Sequence, residues 1–595
     1  MRPDEFVAIL RKRSDPVGSS KLKSAFAHSG LVTAFDEDEL TVLAGARTPI
    51  TVLPEGRGII VGTLFSKDGR NGRIGQISGA DKRRLVASRG STLLTDFWGG
   101  YVAFFKDQAG EMVTLRDPSA AMPCYYAETQ DATLLGSDVA TVLTGSGRTA
   151  EVDWENLAWH LRAPGYWAES TCLRGVRELP RGSMLTVANG SVKVEQRWSP
   201  WPYAMDTTAA SPETAAVRLR ETTQRCVRSL ASEYDQIVLS LSGGLDSSIL
   251  AACLSDAPSN VTCLTLVTPA LVSDERRYAQ AMADRVQLRL VEGHYEHGNI
   301  DLGRSNTAHL PRPNGRALAQ EFERLAEAIL GRGTARAVFM GGGGDSVFCT
   351  VSSAAPIVDR ILREGIGPGV WRTFNDVCEL HSSTYIDTAR RAARTLRRRR
   401  RPYIWRGELT FLGARAVEME RSAGGHPWLD DIPDAAPGKI AHVASISHMH
   451  NFAEGGIGGP GTPPVVSPLL SQPVIEECLR IPTWNWCVQG RDRAIARMAF
   501  ANELPPIIAN RTWKGGAHDF SAQVFERSRH QIRELLIGGL LAQQDLIDRN
   551  AISAYLEMEG PRRDTGYLLI MSLTDAEVWA RGWSAGSHVG MTSTL

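Results

Sequence analysis

The chain has 595 residues with 66 basic and 66 acidic side chains, so its formal net charge at pH 7 is zero. This length is too great for one hydrophobic core and predicts two to four domains, and the balanced charge gives no indication of nucleic acid or an anionic membrane as a partner. Nine scattered cysteines without a C-x-x-C pair argue against a disulfide framework or a zinc site.

The composition is that of a soluble protein, with 43% apolar and 22% charged residues. The N-terminus lacks the apolar core of a signal peptide, and no apolar run approaches the ~20 residues of a membrane span. We therefore expect a cytoplasmic enzyme without a membrane span.

The first 200 residues contain short alternating apolar segments separated by glycines, for example 58–65 and 100–105. This pattern predicts a layered, mostly β domain. Residues 154–161 change to a helical pattern, and a Pro-rich stretch at 198–202 marks the predicted linker. We expect one domain over residues 1–200 and a second over 211–595.

In the second domain, predicted strands alternate with helices. An amphipathic helix is predicted over 212–230, and strands over 237–239, 261–267 and 337–340. Ligand loops follow the strands, which favours an α/β fold with a doubly wound parallel sheet. Beyond about Pro356 the pattern is mainly helical.

Residues 239–248 read L-S-L-S-G-G-L-D-S-S between a predicted strand and a predicted helix. Glycines let the backbone approach a ligand, and a helix start offers free N–H groups to an anion. An aspartate beside bound phosphates is explained by a bridging Mg²⁺. The loop is neither a Walker A motif nor G-x-G-x-x-G. It resembles the pyrophosphate-binding loop of ATP pyrophosphatases; the plain alternative is a Ser/Gly turn that caps an ordinary helix.

Two further segments carry groups that suit the same chemistry. The third predicted strand ends in G-G-G-G-D, and its Asp345 is expected to share Mg²⁺ with Asp246, although an ordinary helix cap has the same appearance. Near the C-terminus, Lys514 precedes two glycines and could stabilise developing negative charge. Arg493, at a predicted helix start, could reach phosphates.

An arginine-rich segment, residues 390–401, permits a nucleic-acid interpretation. Charge runs are more often solvated helix faces, and this run has no interleaved aromatic residues. We favour the solvated face, with docking of an acidic peptide or a partner protein as an intermediate possibility.

These loops, in this order, resemble those of the asparagine synthetase family. The likeness extends to residues 97–104 and 115–126, which are similar to strands of that family's glutaminase domain. The resemblance implies an N-terminal glutaminase-like (Ntn-type) layered α/β domain, followed by an ATP-pyrophosphatase domain with helical additions.

The departures from the family are informative. Its glutaminase uses a cysteine directly after the initiator methionine, whereas Arg2 stands here and the first cysteine is Cys124. We expect no glutamine hydrolysis. Ser471 stands where the family has an aspartate that helps bind a small amino-acid substrate. The absence of this aspartate argues against asparagine synthesis.

Two relatives with an inactive glutaminase domain use an amine of the substrate itself: β-lactam synthetases and lasso-peptide cyclases. The β-lactam enzymes carry a catalytic tyrosine where Gly342 stands here. The segments 467–473, 481–484 and 490–493 are most similar to lasso-peptide cyclases. The resemblance implies adenylation of an Asp or Glu side chain of a linear precursor core peptide, then attack by its N-terminal amine to form an isopeptide (macrolactam) bond, with release of AMP and pyrophosphate.

The resemblance also implies roles for individual residues. Asp246 and Asp345 would hold Mg²⁺, Lys514 would stabilise developing charge, and Glu379, or else Asp376, is a candidate base. The residues expected to bind ATP are Leu239, Ser240, Ser242, Gly243, Gly244, Asp246, Ser247, Ser248, Leu266, Val267, Gly341, Gly342 and Arg493.

Expected partners are the precursor core peptide, a leader-binding protein and a leader protease, without nucleic acid. Two alternatives stay open: another ATP-dependent amide ligase acting on a small amino acid, and a catalytically silent binding protein on the same scaffold.

Overall fold

The structure is a computed structural model. It describes residues 5–12, 26–27, 29–37, 39–69, 72–188, 191–206, 211–267, 274–315, 317–331, 335–399, 403–405, 407–419, 425–450, 462–511, 518–560 and 564–585. In this part of the chain no helix has the length and apolarity needed to cross a bilayer.

The N-terminal part contains two antiparallel six-stranded sheets. Its strands are β1 (Phe6–Arg11), β2 (Val32–Glu37), β3 (Leu40–Ala44), β4 (Ile50–Leu53), β5 (Gly58–Ser66), β6 (Phe97–Lys106), β7 (Met112–Arg116), β8 (Tyr125–Glu128), β9 (Ala132–Gly136), β10 (Arg177–Glu178), β11 (Ser183–Ala188) and β12 (Ser191–Gln196). Its helices are α1 (Gly79–Ala87), α2 (Ser91–Asp96), α3 (Val139–Ser146) and α4 (Trp154–Arg162). The strand orders are β10-β8-β9-β1-β3-β2 and β12-β11-β7-β6-β5-β4.

Side chains that point alternately to the two faces of each strand explain why this domain is layered. In β5, Ile59 and Val61 join Phe6 of the other sheet in a core between the two sheets. Ile60 and Leu64 point to the opposite face and belong to a second buried cluster that includes residues of α1 and α2. Because successive side chains point to opposite faces, continuous apolar strands bury both faces of the sheet. The predicted layered α/β domain is confirmed.

The second domain is built on a parallel sheet. Its strands are β13 (Gln236–Ser240), β14 (Asn260–Val267), β15 (Arg289–His294), β16 (Arg336–Phe339) and β17 (Val465–Val466). The order is β15-β14-β13-β16-β17, and every pairing is parallel. The chain moves outward from β13 to β15 and then returns to β16 on the other side. This reversal places a ligand crevice between the carboxyl ends of β13 and β16.

The helices of the second domain cover both faces of this sheet and, near the C-terminus, pack with one another and against residues of the first domain. They are α5 (Trp201–Ala204), α6 (Pro212–Ala231), α7 (Leu245–Leu254), α8 (Arg276–Val286), α9 (Ala319–Leu330), α10 (Gly344–Val347), α11 (Ala355–Glu364), α12 (Pro368–Leu380), α13 (Tyr385–Arg398), α14 (Ala414–Glu418), α15 (Pro437–Ser447), α16 (Gln472–Arg480), α17 (Ala494–Ala499), α18 (Pro506–Ala509), α19 (His518–Arg527), α20 (Arg529–Ile537), α21 (Leu540–Gln543), α22 (Arg549–Glu557) and α23 (Gly566–Ser584). Short 3-10 segments lie at Pro54–Gly56, His297–Asn299, Pro468–Leu470 and Thr483–Gly490. The predicted doubly wound sheet with helical additions is confirmed.

The predicted linker packs tightly between the domains. The indole N–H of Trp198 donates to Glu476 at 3.1 Å, and that of Trp201 donates to the carbonyl of Trp428 at 2.8 Å. Both indoles are buried. The proposed division at 1–200 and 211–595 stays a prediction, and the two parts share a continuous core.

Candidate active site

The loop after β13 is closed by its own hydroxyl groups. Ser242 Oγ accepts a hydrogen bond from the Gly244 N–H at 3.4 Å, and Ser247 Oγ donates to the Gly244 carbonyl at 3.2 Å. Gly243 has a φ of +65°, and a Cβ atom there would lie 2.3 Å from Cβ of Tyr278. The turn therefore requires glycine at this position.

Helix α7 begins at Leu245, earlier than the Ile249 start indicated by the sequence pattern. Asp246, Ser247 and Ser248 consequently occupy the first helical turn. The first backbone N–H groups of a helix have no intrahelical partner and carry a partial positive charge. This end of α7 is suited to an anion such as a phosphate group.

The loop after β16 packs directly on this turn. A Cβ atom on Gly341 would lie 3.0 Å from the Ser247 nitrogen, and one on Gly344 would lie 2.4 Å from Cγ of Asp246. Glycine at both positions lets the two backbones approach closely. Gly342 lies between them and is partly exposed. The predicted convergence of the two loops is observed.

Asp246 and Asp345 reach the same nitrogen atom of Arg493. Nη1 of Arg493 donates to both carboxylate oxygens of Asp246 at 3.0 Å and to Oδ1 of Asp345 at 2.5 Å, while its Nε donates to Asp492 at 3.1 Å. Burial would lower the pKa of Arg493, but the three carboxylates, Asp246 foremost, raise it. Three carboxylates thus share the guanidinium of Arg493.

This donor set fits Mg²⁺ carried by a nucleotide. Magnesium in such sites takes one or two carboxylates together with phosphate oxygens and water. Among the described residues, no group of three or more His, Cys, Asp or Glu side chains is arranged to hold a metal ion alone. Asp246 and Asp345 are the side chains that would hold the ion, with Arg493 as the protein's own cation at the same place.

Arg511 ties a C-terminal segment to the first loop. Its guanidinium donates to the Gly243 carbonyl at 3.2 Å and to Glu275 at 2.5 Å, and lies 3.7 Å from the ring centroid of Tyr278. Arg497 in turn donates to the Arg511 carbonyl at 3.0 Å. This arrangement could not be predicted from the sequence, because nothing local to residue 511 indicates a partner at residue 275. Lys514 follows three residues later and lies outside the described residues.

The remaining predicted residues lie around these loops. Leu239 and Ser240 end β13, and Leu266 and Val267 end β14, as expected. Glu379 is exposed and packs against Gly490, where an added Cβ would lie 2.5 Å from its Cγ. These positions agree with the predictions in location, and their roles stay predictions.

Asp376, the other candidate base, lies on the same turn as Glu379. Its carboxylate accepts the Gln489 N–H at 3.0 Å, and burial raises its pKa. The two acids thus flank the turn that leads to Asp492 and Arg493.

A cleft of about 110 Å³ lies between α15 and the segment from Cys349 to the start of α11, which follows Asp345 in the chain. It is connected to Asp492 of the carboxylate cluster and to Ser346, the residue after Asp345. The Val351 N–H donates to Asp492 Oδ1 at 3.1 Å, and Ser445 Oγ donates to Ser346 Oγ at 2.9 Å. The hydroxyl groups that line it belong to Thr350, Ser352, Ser353, Ser445 and Thr483.

The described lining of this cleft carries no formal charge at neutral pH. His442, its titratable ring, has a pKa lowered to about 3 by burial. Behind the wall, Asp359 accepts hydrogen bonds from Thr483 at 2.7 Å and from the Gly438 N–H at 2.8 Å. Burial raises the pKa of Asp359 to about 6. This cleft was not among the predicted features, and the Thr/Ser run at 350–353 is its one local signal in the sequence.

Comparison with known proteins gives matches over both domains. A family model described as asparagine synthase matches residues 218–454 and 464–581, more than half of the chain. A model described as glutamine amidotransferase domain matches residues 84–199. No curated protein sequence matches.

Among solved structures, the chain has likeness to a glutamine phosphoribosylpyrophosphate amidotransferase from B. subtilis complexed with ADP and GMP. The identity is 11% and the TM-score 0.21, over 57% of this chain and 81% of that one. It also has likeness to a structure described as the allosteric regulatory enzyme of purine biosynthesis, with 11% identity and a TM-score of 0.20, over 48% of this chain and 80% of that one. Matches with TM-scores this low carry no argument about the site.

Proposed function

The chain belongs to the asparagine synthase family, whose members are ATP-dependent carbon–nitrogen ligases, and we propose that it closes the macrolactam ring of a lasso-type ribosomal peptide. The proposed reaction has two steps. A side-chain carboxylate oxygen of the peptide attacks the α-phosphorus of ATP, and pyrophosphate leaves. The N-terminal amine then attacks the acyl carbon, the bond to AMP breaks, and the amine loses a proton.

The observation that carries the peptide proposal is the neutral, hydroxyl-rich cleft beside the carboxylate cluster. A free amino acid would bring an α-ammonium and an α-carboxylate, and a buried charge without a partner is costly. Besides its reacting amine and carboxylate, a peptide brings amide groups, and the hydroxyls of Thr350, Ser353 and Ser445 can pair with these as donors or acceptors. The lining therefore favours a substrate that brings peptide amides in addition to its reacting amine and carboxylate.

A second observation supports an amine supplied by the substrate. All nine cysteines of the chain are buried, and burial raises the pKa of the first, Cys124, to about 12. A cysteine nucleophile needs access and a lowered pKa. None of these thiols is suited to release ammonia from glutamine, so the attacking nitrogen is expected to come from the peptide itself.

In the proposed cycle, the chain's own groups bind and orient. The N-terminal turn of α7 would take the phosphates, with Leu266 and Val267 beside the adenine. Asp246 and Asp345 would hold Mg²⁺, which would neutralise part of the charge on the leaving pyrophosphate. Arg493 and Lys514 would add positive charge at the same place, and Glu379 or Asp376 would accept the proton. The α-amine, with an ordinary pKa of ~7.7–8, needs little help to lose it.

ATP–pyrophosphate exchange tests the substrate class. Radiolabelled pyrophosphate enters ATP only when the correct carboxylate is adenylated. We expect exchange with a linear core peptide of the lasso type, and none with single amino acids. Exchange with aspartate or another free amino acid would replace the proposal with a small-molecule ligase. No exchange and no ATP binding in equilibrium dialysis would favour a catalytically silent binding protein.

The proposal also implies partners. The core peptide must reach the enzyme after its leader is removed, so we propose a leader-binding protein and a leader protease of the same pathway in the cytoplasm. Co-purification of this chain with either protein would support this part of the proposal.

A further inference from the structure

A surface on α11, α12 and α13 exposes an unusual number of large apolar side chains. Of the fifteen such exposed side chains in the described chain, five lie between residues 362 and 386. They are Leu362, Ile366, Trp371, Tyr385 and Ile386, and Ile366 is 92% exposed. We call these five residues, together with the arginines of α13, the α11–α13 surface. Grouped apolar exposure of this kind marks interaction sites more often than scattered exposure does.

The aromatic rings of this surface lie nearly parallel to one another. The rings of Trp371 and Phe374 lie 5.5 Å apart at an interplanar angle of 1°, and those of Phe374 and Tyr385 lie 5.8 Å apart at 5°. Trp371 is 61% exposed and Tyr385 is 57% exposed. Rigid aromatic side chains lose little conformational entropy on binding and are common anchors at interfaces.

Helix α13, whose Tyr385 lies at the rings, also carries a strong positive charge along its later turns. Its exposed arginines are Arg390, Arg391, Arg394, Arg397 and Arg398. The one acid on this helix, Asp387, is paired with Arg391 at 2.9 Å. Among the described residues, Arg394 and Arg397 have no acidic partner. Because the whole chain has zero net charge, this local excess is specific to the surface and selects an acidic partner.

The surface continues into the candidate active site. His381 caps the C-terminal end of α12, and burial lowers its pKa. Arg391 of α13 lowers that pKa further, while Asp492 and the Ser353 backbone raise it. His381 thus lies among the basic helix, the carboxylate cluster and the cleft wall. On the same helix, Asp376 and Glu379 contact the turn before Arg493.

We propose that the α11–α13 surface binds an acidic segment of the peptide substrate. Apolar side chains of this segment contact the rings of Trp371 and Tyr385, and its carboxylates pair with Arg394 and Arg397. The segment is separate from the peptide residues that form the macrolactam ring. It holds the peptide while the reacting carboxylate enters the cleft. This inference rests on the proposed peptide substrate. The apolar side chains come from three elements rather than from one helix face, which favours a peptide over a lipid surface.

Fluorescence anisotropy with the full chain tests the surface without requiring turnover. The probe is a fluorescein-labelled peptide of Glu, Asp, Leu and Phe, and its counterpart has Lys at every acidic position. We expect the acidic probe to bind and the Lys peptide not to bind. The Arg394→Glu/Arg397→Glu variant and the Trp371→Ala variant should each weaken binding about tenfold or more.

A matched control separates local recognition from bulk charge. Arg83→Glu/Lys193→Glu makes the same change in net charge on exposed residues of the N-terminal domain. Binding should stay within about twofold of wild type, with unchanged thermal unfolding in all variants. Equal loss in both double variants would overturn the proposal. So would tighter binding of phosphatidylglycerol vesicles or poly(U) RNA than of the acidic peptide.

The binding experiment tests the docking surface independently of the proposed reaction. If no peptide supports ATP–pyrophosphate exchange but the acidic probe still binds through Arg394 and Arg397, the docking surface stands and the proposed reaction fails. If exchange with the core peptide proceeds with the same KM in wild type and in Arg394→Glu/Arg397→Glu, the docking surface fails and the reaction stands.

Discussion

At the scale of single residues, the centre of the candidate site is Arg493, which balances the acids around it. Arg493 has a φ of +55°, an uncommon conformation for a residue other than glycine. The backbone there directs the guanidinium between Asp246 and Asp345, residues that come from loops after two different strands. A side chain held in this way keeps the two carboxylates together before the nucleotide arrives.

Removing either carboxylate should abolish adenylation and leave the fold intact. Asp246→Asn and Asp345→Asn are each expected to lower ATP–pyrophosphate exchange at least about 100-fold, because charge stabilisation at the phosphates is lost. Arg493 keeps Asp492 as a partner, so thermal unfolding should change little. Asp256→Asn, which removes an exposed aspartate paired with Arg228 at 3.2 Å, is the control and should retain activity. Full exchange by Asp246→Asn would disprove the site assignment.

Asp359 should make stability depend on pH. Burial raises its pKa to about 6, above the ordinary value of 3.8. A carboxyl whose pKa is raised on folding stabilises the fold fully below its unfolded pKa, and this contribution is lost as the pH rises through about 6. The loss amounts to about 3 kcal/mol.

Urea unfolding of wild type and Asp359→Asn at several values between about pH 4 and pH 7 measures this loss. The variant has no carboxyl to ionise, so its stability relative to wild type should rise with pH across this window. A difference between the two that does not change with pH would contradict the assigned pKa.

At the scale of secondary-structure elements, Arg511 connects the segment after α18 to the loop after β13. The Arg511→Ala variant removes a charged hydrogen bond to the Gly243 carbonyl and its stacking on Tyr278. We expect the KM for ATP to rise about tenfold, since hydrogen bonds to charged groups contribute ~1.5–3 kcal/mol. Arg285→Ala, which removes an exposed arginine bonded to the Asn502 carbonyl, should leave the KM unchanged. An unchanged KM in Arg511→Ala would remove Arg511 from the ATP site.

The elements that sequence analysis predicted correctly have strong local patterns. Continuous apolar runs indicated β13, β14 and β16, and a 3.6-residue period indicated α6. The convergence of Asp246 and Asp345 followed from the topology of a parallel sheet. The start of α7 was placed too late, because glycine and serine resemble a loop until the tertiary fold buries them.

Features made by distant residues could not be predicted from local sequence. The contact of Arg511 with Glu275 and the cleft between α11 and α15 depend on packing between elements far apart in the chain. The exposed rings of Trp371 and Tyr385 resemble core positions of amphipathic helices. These rings are exposed because no other element of the described fold packs over them.

At the scale of the whole molecule, a buried ion cluster joins the two domains. Glu178 of β10 pairs with Arg116 of β7 at 2.8 Å and also with Arg312 of the second domain. Arg312 further donates to the Ala168 carbonyl at 2.8 Å. Arg181 reaches across the same boundary to the carbonyls of Ile446 and Met449. The N-terminal domain therefore supports the second domain through buried contacts.

Glu178→Gln should destabilise the chain as one unit. The change leaves two buried guanidinium groups without their carboxylate, and breaking a buried ion pair costs about 3–5 kcal/mol. Because the domains share this cluster, we expect a single unfolding transition that moves to lower urea concentration. Glu195→Gln, in the exposed pair with Lys193, is the control and should change stability by less than about 1 kcal/mol. Two separate transitions in wild type would contradict a shared unit.

The central claim, ring closure in a peptide driven by ATP cleavage to AMP, is tested most directly by analysing all products of one reaction. The purified chain is incubated with Mg²⁺, ATP and the linear core peptide, and the peptide and nucleotides are measured by mass spectrometry. We predict that each peptide cyclised loses one water and that one AMP forms per ring, with no requirement for glutamine. Formation of ADP, AMP formation with a free amino acid in place of the peptide, or an unchanged peptide mass with AMP released would contradict the account.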